Sequence, residues 1–291
     1  ALRAWRSRGG FEGRATFRAW LYRIATNVCL DLLARRPPRV LPADVFPARD
    51  PDQALPEPAE QPWLDPYPER LLEGIASAED DPEAAAVRKE TIELAFLSAI
   101  QHLPPRRRAV LILRDVLGWS AKDTASALGV SVASVNSALQ RARTTLKRHL
   151  PPRRLDWAPS SDPSEADRAL LRRYMDAHER GDVTALAVLL RDDIRVSAPP
   201  LPLWFDGREA FLASARRSAA PGRFRYLPTV ANGQPAAASY VREAGDGDYA
   251  PLGIDVLRIE DGAVAEITVF LRPDLFAAFG LPPRLTPGGD E

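Results

Sequence analysis

The stretch LPPRRRAVLILRDVLGWSAKDTASALGVSVASVNSALQRAR, residues 103–143, decides the fold of the first half of the chain. After the Pro104-Pro105 break it divides into three helical segments, Pro105–Val116, Ala121–Leu128 and Ser131–Leu150. Ser120 is placed to cap the second, with Asp123 favouring its first turn, and Gly129 can take the left-handed residue that ends it. Ser131 caps the third, whose apolar stripe is Val132, Val135, Leu139 and Ala142. Ala133, Ser134, Asn136, Ser137, Gln140 and Arg141 then face outward. Small residues with Asn, Gln and Arg suit base edges in a major groove, and Arg143, Lys147 and Arg148 suit backbone phosphates. An ordinary helical hairpin would have no need of that polar edge beside a glycine turn.

This stretch resembles the second DNA-binding region of sigma-70 family factors, in the extracytoplasmic-function group. The resemblance implies a helix-turn-helix whose last helix reads the minus-thirty-five promoter element. Residue by residue, the implied interface is Ser131, Ala133, Ser134, Asn136, Ser137, Gln140, Arg141 and Arg143.

Upstream, Thr16 to Ala34 reads as a helix with Phe17, Leu21, Ile24, Val28 and Leu32 at helical spacing, preceded by a glycine loop at 9–15 and ended by Arg35, Arg36 and two prolines. Residues 11–27, FEGRATFRAWLYRIATN, are similar to the promoter-melting part of the same family, which implies a loop that captures a flipped base and a helix that lines the opened strand. Aromatic rings can stack on single-stranded bases while arginines meet phosphates. The implied residues are Phe11, Glu12, Arg18, Trp20, Arg23, Asn27, Arg35 and Arg36, with Tyr22 a second ring for stacking. Phe17, Leu21 and Ile24 read as core. Trp20 reads equally as core or contact. The family places its polymerase-docking helices before this point, and the chain starts without methionine in what reads as mid-helix, so native sequence is expected ahead of Ala1.

Charge supports two separate contacts with a polyanion. The 291 residues carry no net charge, but 1–36 carry +6, 37–101 carry −9, 102–150 carry +7 and 151–291 carry −4. The acidic, proline-rich 37–81 reads as a linker, mostly extended or disordered, in which Trp63 and Tyr67 can dock locally. A helix is expected from Pro82, capped by Asp81, to His102. No run of about 18 apolar residues exists, so no transmembrane helix is expected. Cys29 is the only cysteine, which excludes an intrachain disulfide and a cysteine-cluster zinc site.

After a second linker, 151–163, the chain changes character. Helices are expected at Ser164–Arg180 and Val183–Leu190, a strand at Ile194–Ser197, a loop with Trp204 and Phe205, a helix at Gly207–Ser218, and strands near Arg223–Val230, Ala237–Glu243, Leu252–Ile259 and Ala263–Leu271. Asp261-Gly262 is a two-residue hairpin turn. Helices followed by a strand meander make an α+β domain. Element order, with WFDGRE at 204–209 and FLRP at 270–273, resembles a SnoaL-like polyketide-cyclase domain, which implies a cone of curved antiparallel sheet and helices around an apolar pocket. Trp204, Phe205 and Asp255 are the candidate pocket residues. Asp255, set opposite Ile254 and Val256, reads first as a solvent-facing or ladder-end carboxylate and only second as a pocket group, and His178 reads as a surface or boundary histidine.

The chain is thus expected to be multidomain: partial sigma region two (1–36), the linker 37–81, region four (82–150), the linker 151–163 and the SnoaL-like domain (164–291). The expected function is promoter-specific initiation with core RNA polymerase and promoter DNA as partners, in the cytoplasm, the last domain modulating activity. No catalytic residue, metal or cofactor is expected. An unidentified small ligand in the last domain is the one further partner. The alternatives are a DNA-binding module fused to a cyclase- or isomerase-like domain, and a polymerase-independent repressor.

Overall fold

A computed structural model describes residues 17–71, 94–150, 163–242 and 247–287, together with Trp5. The chain forms two compact units, Ala1–Arg39 with Ala95–Ala158 and Val40–Leu94 with Pro159–Glu291.

In the first unit, α1 (Phe17–Arg35) packs against the helices of the 103–143 stretch. Its sheltered side is set by Trp20, 7% exposed, and by Leu30, which meets the core of that stretch. This face is displaced from the apolar stripe read in the sequence: Leu21 and Leu32 are exposed rather than buried. A helical stripe names a hydrophobic side, but the neighbour decides which part of it is covered. Of the helix expected from Pro82, the described part is α3 (Leu94–Gln101), which follows the short α2 (Pro42–Val45) in chain order. Asp81 and Pro82 lie outside the described residues.

The next segment is α-helical only over α4 (Pro105–Leu111), then widens into a π turn, Ile112–Val116, in which Leu117 N–H donates to Ile112 O at 2.9 Å. Helices α5 (Ala121–Leu128) and α6 (Val132–His149) follow. Leu103, Val110, Leu111, Leu128, Val135 and Ala142 form the centre of the core, each at most 2% exposed.

In the second unit, α7 (Glu165–Glu179) starts from a capping box in which Ser164 and Asp167 satisfy each other's backbone N–H. Then come α8 (Val183–Leu189), β1 (Leu190–Ser197), β2 (Trp204–Asp206), α9 (Arg208–Ser218), β3 (Phe224–Ala231), β4 (Gln234–Val241), β5 (Ala250–Glu260), β6 (Ala263–Phe270) and α10 (Phe276–Phe279). The sheet order is β2-β1-β6-β5-β4-β3. It is antiparallel except where β1 lies parallel to β6, so the expected all-antiparallel sheet is a mixed one. Trp204 and Phe205, expected in a loop, form β2 instead. The Asp261-Gly262 turn has both residues at positive φ, 52° and 76°, as a type I′ hairpin requires. Asn232-Gly233 makes a second such turn at 56° and 69° between β3 and β4.

Seven consecutive residues of β4, Gln234–Tyr240, are buried, so both faces of the sheet are covered. Helices α7, α8 and α9 cover one. On the other, Phe276 of α10 packs edge-on against Tyr240, 5.1 Å between ring centres, and the segment expected to be a loose linker docks along the sheet's margins. Residues 40–71 run from β2, where Arg49 N–H donates to Trp204 O at 2.9 Å and the Trp204 indole donates to Phe46 O at 2.7 Å, to the β3–β4 hairpin. There Tyr67 and Asn232 exchange hydrogen bonds at 2.8 and 2.9 Å, and Glu69 accepts from Gly233 N–H at 3.0 Å. Asp65 pairs with Arg272 at 3.0 Å, and Arg70 donates to the carbonyls of Ala277 and Ala278. Val40, Leu41, Trp63 and Leu64 are its buried anchors. Composition points to disorder here because prolines and acids dominate. Yet a few large apolar residues suffice to dock an extended chain, and prolines, lacking N–H groups, leave fewer donors to satisfy.

Candidate nucleic-acid interface

The presentation of α6 is built by its caps. Ser120 accepts from Asp123 N–H at 3.1 Å and starts α5. Gly129, at φ 65° and ψ 38°, ends it and returns its N–H to Ala125 and Ser126. Two residues later Ser131 accepts from Ser134 N–H at 3.2 Å and starts α6. Val135, Leu139, Ala142 and Leu146 then bury one side of α6 at 7% exposure or less.

The other side is the expected edge. Ser131, Ala133, Ser134, Asn136, Ser137, Gln140, Arg141 and Arg143 are all exposed, as are Lys147 and Arg148. Val132, read as part of the buried stripe, is 43% exposed and sits on this edge at the helix start. Its position one turn before Val135 overhangs the core, and an apolar group there can meet a thymine methyl. Sequence periodicity assigned it inward because the first turn of a helix carries no geometric mark of where its partner stops.

Arg143 differs from its neighbours. Its Nε and Nη2 donate to the two carboxylate oxygens of Asp115 at 2.9 and 2.8 Å. The bidentate pair raises the Arg143 pKa through that hydrogen bond and ties α6 to the π turn. Arg143 therefore positions the helix and is only partly available to a phosphate. Arg114 donates to Trp119 O, closing the same junction.

The melting-segment residues are described unevenly. Phe11 and Glu12 lie outside the described residues, and for Arg18, Tyr22 and Arg23 only the helical backbone is described. Asn27, Arg35 and Arg36 are exposed on or just beyond α1. Trp20 is the correction: at 7% exposure it is packed against protein in this arrangement and presents no face for a base.

In the sheet domain the three candidate pocket residues do not converge. Trp204 bonds to residue 46 of the strap, with the Arg195 guanidinium 5.3 Å from its ring centre. Phe205, the next residue along β2, points to the opposite face. Asp255, read as solvent-facing or at a ladder end, is instead 3% exposed. It accepts the Tyr174 hydroxyl on Oδ2 at 2.8 Å, while Oδ1 has no partner among the described residues. Burial raises its pKa to about 7, against which the Tyr174 hydrogen bond pulls down. His178 follows one turn after Tyr174, with ring centres 4.5 Å apart, and lies 5.5 Å from Tyr226. Burial lowers its pKa to about 4. A cavity of about 130 Å³ opens beside it, lined by Ala177, Leu186, Phe211, Ala215 and Phe224 among others. Asp255 does not line that cavity. Sequence reasoning missed this cluster because Tyr174, Tyr226 and Asp255 are joined only by the tertiary fold.

Three family models match the chain: Sigma-70 region 2 over residues 1–37, Sigma-70 region 4 over 93–146 and a SnoaL-like domain over 171–267. The ECF RNA polymerase sigma factor SigG of Mycobacterium tuberculosis is 40% identical over 288 residues, which are 98% of this chain and 75% of that protein. The RNA polymerase sigma-H factor of Pseudomonas aeruginosa is 33% identical over 153 residues, 52% of this chain and 69% of that one. Among solved structures, the extracytoplasmic function sigma factor SigJ of Mycobacterium tuberculosis aligns with a TM-score of 0.54 at 20% identity, covering 94% of this chain and 87% of that one, a likeness of fold. With helical regions, outward polar edge and sheet domain in the same order as these matches, the chain belongs to the ECF RNA polymerase sigma factors and carries a C-terminal SnoaL-like domain.

Proposed function

We propose that α6 reads the minus-thirty-five element through Ser134, Asn136, Ser137, Gln140 and Arg141, and that α1 with the loop at 9–15 acts on the minus-ten element, in the cytoplasm. Family membership implies core RNA polymerase and promoter DNA as partners. The observation that carries the reading is the exposed Asn-Gln-Arg edge on a helix capped at both ends of its glycine turn. Run-off transcription with core polymerase tests it. Asn136→Ala/Gln140→Ala should lose promoter-specific product, while transcription that specific and unchanged would overturn it.

The modulating role rests on the strap. Residues 40–71 join the two DNA-binding regions, and they are held on the SnoaL-like domain by the Asp65–Arg272 pair, the Arg70 bonds and the Tyr67–Asn232 exchange. Thirty-two undocked residues would have a root-mean-square span of about 30 Å and would sample many separations. Docked, they allow few. Asp65→Ala/Arg70→Ala should therefore raise run-off transcription at limiting polymerase by freeing the tether. Equal activity would sink the modulating role and leave the promoter reading intact.

The same domain is read as non-catalytic. Its buried carboxyl is closed off from the cavity at His178, and that cavity has the size of a single small ring. A small ligand with an apolar ring and a polar group is the occupant supported by its mixed lining, Leu186, Phe211 and Phe224 with His178, Asp182 and Ser214. The buried Tyr174–Asp255 pair favours the second reading, an isomerase-like centre, which would require the cavity to extend to Asp255.

A further inference from the structure

The first unit contains a cleft of about 440 Å³ that promoter reading touches only at Arg36. One wall is the end of α1 and the residues after it, with Leu33, Arg36 and Arg39. The other is the turn between α3 and α4, with His102, Pro105 and Arg108. None of the described lining residues is acidic. The volume lies in the range of sites that take small molecules.

Arg108 is the centre of the argument. Its Nη2 donates to the carbonyls of Gln101 and Leu103 at 3.1 and 3.3 Å, which fixes the guanidinium against the turn. Its Nε is buried and has no partner among the described residues. Burial lowers its pKa, so the cation is held where water solvates it poorly. Beside it, the rings of His102 and His149 stack at 3.8 Å and 10°. Arg36, Arg39 and Arg108 line one cleft with no acidic residue in its described lining, so an anion entering it meets positive charge. The rest of the lining, Leu33 and a run of prolines, is apolar and fits a flat organic ring.

We propose that this cleft binds a nucleotide, its phosphate held by Arg36, Arg39 and Arg108 and its base lying against the prolines. Because the two walls are 60 or more residues apart in the chain, the bound nucleotide ties the end of α1 to the α3–α4 turn. The phosphate can belong to a free nucleotide or to DNA.

Calorimetric titration of the full chain separates these outcomes, using ADP, adenosine and a short duplex of unrelated sequence as probes. ADP should bind one-to-one and tighter than about 1 mM, and adenosine at least about tenfold more weakly. Arg108→Gln should weaken ADP about tenfold, the equivalent of about 1.4 kcal/mol, and Arg106→Gln, outside the cleft, should leave it unchanged. Arg39→Gln, on an exposed residue, is the second variant, and circular dichroism establishes that both remain helical. If the duplex displaces ADP and Arg108→Gln weakens both, DNA supplies the phosphate. If the duplex binds equally well with ADP present and to the variant, a free nucleotide supplies it. ADP heats that do not saturate, equal affinity for adenosine, or folded Arg108→Gln and Arg39→Gln chains that bind ADP like the parent would overturn the proposal.

Discussion

Replacing Asp255 by Asn removes a titration from the middle of the SnoaL-like domain and leaves its shape. The side chain can still accept the Tyr174 hydroxyl. In the folded chain the carboxyl holds its proton up to about pH 7, and in the unfolded chain it releases it near 3.8. The unfolded state therefore ionises first. Stability from this group is full below pH 4, declines from there and is lost once pH has risen through about 7. The gap is worth about 4 kcal/mol in all, of which about 2 kcal/mol falls between pH 5.5 and 8.5. His178, lowered to about 4, works in the opposite direction: its stability is present above the ordinary imidazole range and is lost as pH falls. It is common to parent and variant, so it cancels in their difference. Urea unfolding followed by near-ultraviolet circular dichroism at the two pH values reads the domain directly. The stability of Asp255→Asn relative to the parent should grow by about 2 kcal/mol from pH 5.5 to 8.5. A difference that does not change with pH would refute the buried, proton-holding carboxyl.

Ser131→Ala removes the cap of α6 and should cost about 1 kcal/mol in thermal unfolding of the first unit, with Ser137→Ala, exposed in mid-helix, near neutral. Gly129→Ala meets no neighbouring atom but forces a side chain to φ 65°, so a loss of about 1 kcal/mol is expected from strain alone. A double-mutant cycle on Asp115 and Arg143 should return about 0.2–1 kcal/mol of coupling, and zero would remove its positioning role. In binding assays on altered promoters, Asn136→Ala should relax preference at one base position, whereas Lys147→Ala should weaken all sequences alike and flatten the salt dependence.

The legible parts of the sequence are those where local chemistry and tertiary packing agree. Ser120, Gly129 and Ser131 act through hydrogen bonds and dihedrals set within three or four residues, so the helix boundaries and the outward edge of α6 could be read directly. The Asp261-Gly262 turn could be read for the same reason. Asn232-Gly233 carries the same signal, but the strand after it, QPAAASYV, is rich in alanine with little alternation and does not mark a hairpin by itself. Errors lie where a distant surface decides. Val132 and Leu21 are exposed because the core stops short of them. Trp20 is buried where helical spacing alone left it open between core and contact. Asp255 sits in a strand with period two, and nothing local distinguishes an outward carboxylate from one meeting Tyr174 eighty-one residues away.

The strap over the sheet also changes what residues 40–71 mean to anyone cutting this chain into pieces. They look like a spacer whose length and content could be exchanged freely. Yet a fragment beginning after residue 71 would lose the buried Val40, Leu41, Trp63 and Leu64 and leave unpaired the hairpin and strand groups that Tyr67, Glu69 and Arg49 satisfy. Such a fragment should clump, whereas one that carries the strap should stay dispersed: in this protein the second compact unit begins at Val40, well before the first, which resumes at Ala95, has ended.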